Sequence, residues 1–245
     1  MGIGTRGECV ACAGLQLKVP VIVIMPVNTP VSQQNRLRDA KATIVLAGKD
    51  FQEAQRKAEA FAKSHEMCLI SMSREPDNLA GVGGIGVELA RQADLIDVHA
   101  IFVPATSVEL ITGVSSFIRV VSPWVKVIAV TRNDECVPPS SASSDRKIPS
   151  LDAWDEHTAH VTNQLPSAEL MNELIRVTVD EVKVAIQDIF EATHSMVKPL
   201  GAVGLAGLKA YAQRQAGTVN GKRLVAIVSE GATNFEDLRS IMTLV

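Results

Sequence analysis

Five short apolar runs constrain this chain more than any other feature. Residues 20–25 read "PVIVIM", 43–47 "TIVLA", 68–71 "CLIS", 99–104 "HAIFVP" and 126–130 "KVIAV". Each is rich in Val and Ile and unbroken by alternating polar residues, as in strands buried on both faces. Between the runs, apolar residues recur at steps of three and four. Phe51, Ala54, Ala58, Phe61 and Ala62 mark one helix face, and Val182, Ala185, Ile186, Ile189 and Phe190 mark another. A further strand is expected in "RLVAIVS", residues 223–229. Strands alternating with helices of this length imply crossover units. The fold class is therefore α/β, with parallel sheets covered by helices on both faces.

One stretch breaks the rhythm. Residues 131–168 are rich in Ser, Pro and charge and read as a long irregular segment. His157 and His160 stand there near Asp152, Asp155 and Glu156. Those side chains can ligate metal, but the polar setting reads as a solvated loop, and no metal is expected.

Composition excludes several partners. The formal charge of −3 offers no basic face for nucleic acid, and aromatics at 4% leave few stacking platforms. No apolar run reaches the ~20 residues that cross a bilayer. The opening "MGIGTRGECVACAGLQLKVP" lacks the layout of a secretory signal, so a cytoplasmic location is expected. Cys9 and Cys12 form one C-x-x-C with no second pair to complete a zinc site; they read as small helix residues.

Residues 81–89, "GVGGIGVEL", contain the spacing G-x-G-x-x-G. A dinucleotide loop needs a strand ending at its first glycine. Here the nearest expected strand ends about ten residues earlier, and Asp97 precedes the next strand where a ribose-binding acid would end it. The glycines read instead as opening a helix near the junction of two α/β domains, packed closely on its neighbour.

Five segments resemble, in order, the threonine and serine dehydratases. "VPVIVIMPVNTPVSQQNRLRDAKATIVLAG" is similar to their V-I-V-M-P segment, and "NLAGVGGIGVEL" to I-A-G-Q-G-T-I-G-x-E-I. "DVHAIFVPATSVELITGVSSFIRVVSPWVKVIAV" resembles D-A-V-F-V-P-V-G-G-G-G-L-I-x-G-V with the helix and strand that follow. "VKPLGAVGLAGLKAY" resembles E-P-x-G-A-L-A-L-A-G, and "LVAIVSEGATNFEDLR" resembles V-A-I-x-S-G-A-N-x-N-F-x-x-L-R. The resemblance covers most of the chain outside 131–168 and extends to the fold type of tryptophan synthase β and serine racemase.

The resemblance implies pyridoxal phosphate. In that family a lysine holds the cofactor as a Schiff base, a glycine-rich loop at a helix N-terminus cradles the phosphate, and a serine faces the pyridine nitrogen. It further implies conversion of L-threonine to 2-oxobutanoate and ammonia. The family lysine lies in S-F-K-x-R-G-A, upstream of the first matched segment. "GIGT", residues 2–5, falls on the S-x-G-N loop, with Thr5 in the asparagine position. Thr106, Ser107, Val108 and Glu109 stand where the four phosphate-binding glycines belong. Val108 is β-branched and ill suited to positive φ. Glu109 sets a carboxylate against a dianion, at a cost of about 4 kcal/mol per pair of unit charges ~4 Å apart in an effective dielectric near 20. Thr106 and Ser107 read as helix N-caps. Ser229 keeps the position opposite the pyridine nitrogen, with Glu230 added beside it, and Lys198 reverses the charge of a family glutamate.

Residues 1–90 are then expected to be a remnant of a small α/β domain, and 91–245 a large α/β domain lacking its first strands. Core positions match and site positions do not, so the chain reads as a catalytically silent pseudoenzyme or fragment, with no catalytic residue assigned. Two alternatives stand: an active pyridoxal-phosphate-dependent threonine dehydratase with a missing N-terminus, and an amino-acid-binding or regulatory partner of an intact homologue. Open sheet edges favour a homo-oligomer, or a hetero-oligomer with such a homologue.

Overall fold

The computed structural model describes residues 5–70, 76–105, 108–133 and 170–229. The chain divides into two compact units, residues 1–73 and 74–245. That division comes earlier than the domain boundary expected near residue 90. The helix containing residues 81–89 packs with the second unit, which moves the division towards the N-terminus.

In the first unit, α1 (Thr5–Leu17) leads to β1 (Ile22–Met25), α2 (Val31–Asp39), β2 (Thr43–Leu46) and α3 (Phe51–Ser64). β1 and β2 pair in parallel, Ile22 opposite Thr43 through Met25 opposite Leu46. Val23 and Met25 alternate onto one face and pack with Ala11 of α1 and Leu37 of α2. α3 lies against β1 and buries Ala54, Ala58 and Ala62, as its periodicity requires. Its start is fixed by Asp50, whose side chain accepts a 2.8 Å hydrogen bond from the Glu53 N–H.

The strand expected over 68–71 is not formed. Cys68, Leu69 and Ile70 are irregular and pair with no strand among the described residues, and Ile70 is 44% exposed; Ser71 lies outside the described residues. Three apolar residues gain little as a strand without a neighbour to satisfy their backbone.

The second unit comprises α4 (Pro76–Gln92), β3 (Val98–Pro104), α5 (Val108–Val121), β4 (Lys126–Arg132), β5 (Glu173–Val177), α6 (Val179–Thr193), α7 (Pro199–Arg214) and β6 (Arg223–Ala226). Its four-stranded sheet has the order β5-β4-β3-β6, and every pair is parallel. Alternation along β3 builds two cores. Ala100 and Phe102 face α6 and α7, with Val182, Ala185 and Ala206. Ile101 and Val103 face α5 and α4, with Ile111, Val114 and Leu89. The result is three layers, helix–sheet–helix, as the sequence implied.

The glycines of 81–89 lie inside α4 and do not open it. They serve the crossing with α5. A Cβ on Gly113 of α5 would stand 2.8 Å from the Gly83 nitrogen and 2.9 Å from the Leu79 carbonyl oxygen. One on Gly86 would meet the Phe117 ring at 2.7 Å. The spacing that imitates a nucleotide loop is a contact surface between two helices.

Two features were not foreseen. β5, "ELIRV", carries Glu173 and Arg176 within its run and was not expected as a strand. Glu181 closes a capping box at the start of α6: the Thr178 hydroxyl accepts from the Glu181 N–H at 3.2 Å, and Glu181 Oε2 accepts from the Thr178 N–H at 2.7 Å.

Candidate functional site

In open parallel sheets, ligands sit beyond the carboxyl ends of the strands, where the order of connections reverses. Here β3 continues through α5 to β4 on one side, whereas β6 joins β3 on the other. The reversal therefore lies between β3 and β6, and the residues following these two strands face it. The Ala105 N–H donates to the Val130 carbonyl at 2.7 Å, and the Ile227 N–H donates to the Phe102 carbonyl at 2.9 Å. These bonds hold both strand exits in register.

After β3 the chain enters α5 at Val108, with Glu109 in the first turn and only 8% exposed. After β6, Ser229 is half-buried, and its N–H donates to the Gly201 carbonyl at 3.3 Å. α7 reaches this edge through close packing. A Cβ on Gly204 would lie 2.6 Å from the Ile227 carbonyl oxygen and 3.3 Å from that of Phe102. Lys198, half-buried, is the residue preceding Pro199 at the start of that helix.

Of the residues singled out from sequence, Glu109 and Ser229 share this sheet edge. Val108 opens α5 at the same edge. Thr106 and Ser107, with their expected N-cap role, lie outside the described residues, as do Glu230 and residues 134–169 with His157 and His160. Thr5 begins α1 of the first unit. Among the described residues no three His, Cys, Asp or Glu side chains gather as a metal site.

Arg132 escaped the sequence reading. It ends β4 on the same edge, is 3% exposed and has a polar partner. The sequence carried little signal for it: an arginine closing an apolar run ordinarily stands in solvent, and only the fold shows it buried.

Residues 4–230 match the family of pyridoxal-phosphate dependent enzymes. The chain belongs to that family. Among curated relatives it is 29% identical to the mitochondrial threonine dehydratase of Saccharomyces cerevisiae, over 97% of this chain and 43% of the relative. It is 30% identical to the chloroplastic biosynthetic threonine dehydratase of Arabidopsis thaliana, over 98% of this chain and 41% of the relative. The chain thus spans less than half the length of these two relatives. Among solved structures, the processed form of threonine deaminase isoform 2 from Solanum lycopersicum aligns with a TM-score of 0.82 and 25% identity, covering all of this chain and 72% of that one. Serine racemase from Dictyostelium discoideum shares the fold, with a TM-score of 0.76 at 20% identity.

The family's cofactor is pyridoxal phosphate. A phosphate dianion at a helix N-terminus needs backbone N–H groups and no competing negative charge. The first turn of α5 instead carries the buried carboxylate-bearing side chain of Glu109. That arrangement does not fit a phosphate. Ser229, whose hydroxyl has no hydrogen-bond partner among the described residues, fits a polar ring atom.

Proposed function

We propose that this chain is a relative of the threonine/serine ammonia-lyases that has kept the scaffold and lost the chemistry. The observation that carries this reading is the burial of Glu109 in the first turn of α5, at the edge where the sheet's connections reverse. Its charge favours the helix dipole by ~0.3–1 kcal/mol. The same charge repels an anionic ligand tail. The substitution is therefore comfortable for folding and adverse for cofactor binding.

The domain reading follows the same logic. The first unit, residues 1–73, is read as a small-domain counterpart and the second, 74–245, as a large-domain counterpart, with oligomerisation through sheet edges, in the cytoplasm. Among the described residues no helix is long and apolar enough to cross a membrane.

A second reading rests on Ser229. A hydroxyl at the exit of β6, beside α7, suits a hydrogen bond to a polar ring atom, and this supports the reading of an active pyridoxal-phosphate lyase acting on L-threonine. An amino-acid-binding partner of an intact homologue would use the same sheet edge without the cofactor. Incubation of the purified protein with pyridoxal phosphate and L-threonine separates these readings. The proposal expects no release of 2-oxobutanoate above that of the cofactor alone. Stoichiometric turnover establishes the lyase instead, and saturable threonine binding without turnover supports the partner role.

A further inference from the structure

The two thiols of α1 take no part in the sheet-edge site of the second unit. Cys9 and Cys12 are both exposed and both free. They lie three residues apart within a continuous helix, Thr5–Leu17, whose opposite face is buried through Gly7, Ala11 and Gly14. The helix is held from its partner side as well. Glu8 pairs with Arg36 of α2 at 2.7 Å, so α1 does not present these cysteines by fraying.

Residues at i and i+3 of a helix have Cβ atoms about 5–6 Å apart. A disulfide needs Cβ atoms only about 3.5–4.5 Å apart, so direct closure between Cys9 and Cys12 would have to distort the helix. A bridging atom removes that conflict. Two bonds of about 2.3 Å, the length typical of zinc–thiolate contacts, let the sulfurs stand up to ~4.6 Å apart with the helix intact. Among the described residues no third His, Cys, Asp or Glu joins them in a metal-holding group, and neighbouring Glu8 is engaged by Arg36, so the pair suits a centre content with few ligands.

We propose that Cys9 and Cys12 form a surface dithiol site for a soft, thiophilic centre of low coordination number, such as trivalent arsenic or a monovalent d10 cation. With phenylarsine oxide the reaction balances. Two S–H bonds and the arsenic–oxygen bond break, two As–S bonds form, both thiol protons leave on the oxygen, and one water is released. No oxidant or reductant is required. This site is independent of the sheet edge in the second unit and of any bound pyridoxal phosphate.

Phenylarsine oxide, intact mass spectrometry and a glutathione challenge test it. The wild-type chain is expected to gain one phenylarsine oxide less one water and to retain it in excess glutathione, which strips monothiol adducts. Dithiothreitol removes it. Cys9→Ser and Cys12→Ser each lose the second tether, and resistance to glutathione is expected to fall by about 100-fold or more. Cys68→Ser and Cys136→Ser keep it. Circular dichroism confirms that the serine variants stay folded, as expected for the exposed side chains of Cys9, Cys12 and Cys68. Equal retention by Cys9→Ser or Cys12→Ser, or loss of the wild-type adduct to glutathione, would overturn the proposal.

Discussion

Gly113 of α5 rests on Gly83 of α4 so closely that a Cβ on Gly113 would stand 2.8 Å from the Gly83 nitrogen. Backbone lies on both sides of that contact, so neither partner can swing away. Gly113→Ala is expected to destabilise the protein by about 1–3 kcal/mol, the usual cost of overpacking. Gly84, one residue along from Gly83, has open space around its Cβ position. Gly84→Ala is expected to stabilise by roughly 0.5–1 kcal/mol through helix propensity alone. Urea denaturation of the two variants reads both signs. A nucleotide-binding loop would instead penalise both substitutions through loss of ligand.

The capping box at Thr178 sets a second expectation. Thr178→Ala removes the side-chain acceptor for the Glu181 N–H and is expected to cost about 1 kcal/mol, while Thr178→Ser costs only a few tenths. Chemical denaturation midpoints at constant slope measure the difference.

His99 on β3 gives a pH dependence. Its pKa lies below the usual 6.5, first because burial disfavours the imidazolium, and then because Lys222 and Lys126 repel it. The unfolded chain therefore binds a proton that the folded chain refuses. Stability from this residue is complete above pH 6.5 and falls as pH drops towards the lowered folded pKa. Glu53, whose pKa is lowered from 4.5 chiefly by the Lys49 N–H, acts in a more acidic window and loses its contribution as pH falls below 4.5. His99→Gln is expected to flatten the stability profile just below pH 6.5 and leave the more acidic limb unchanged. Denaturation midpoints at stepped pH check this. An unaltered profile near pH 6 would contradict it.

Glu109 is expected to trade fold stability for anion affinity. Glu109→Gln removes the charge favoured by the α5 dipole and is expected to lower stability by ~0.3–1 kcal/mol. The same variant is expected to bind inorganic phosphate at least ~10-fold more tightly than the parent, because a repulsion of several kcal/mol at close range is lifted. Calorimetric titration with phosphate reads the gain, and thermal denaturation without phosphate reads the loss.

Much of this architecture was legible because buried parallel strands announce themselves. "HAIFVP" and "KVIAV" carry side chains to two cores, so both faces must be apolar, and these runs became β3 and β4. "CLIS" has the same local composition, yet among the described residues its first three pair with no strand, which no local pattern reveals. β5 was hidden for the opposite reason: an edge strand tolerates Glu173 and Arg176, so its polar residues blurred the run. The glycines misled by spacing alone, since tight turns and tight helix crossings both demand a missing Cβ.

The candidate site was legible only through collinear resemblance, which placed Ser229 and Glu109 before any fold was known. Their approach to one sheet edge depends on β6 returning beside β3 from far along the chain. Arg132 stayed unseen because a charge at the end of an apolar run usually marks a strand's exit into solvent.

The most direct measurement is intact mass of the purified protein after incubation with pyridoxal phosphate and reduction with borohydride, compared with a borohydride-only control. The account expects at most scattered, substoichiometric labelling of exposed lysines and no fixed absorbance band. A single reducible adduct at one equivalent per chain, localised to one lysine and accompanied by release of 2-oxobutanoate from L-threonine, would contradict it.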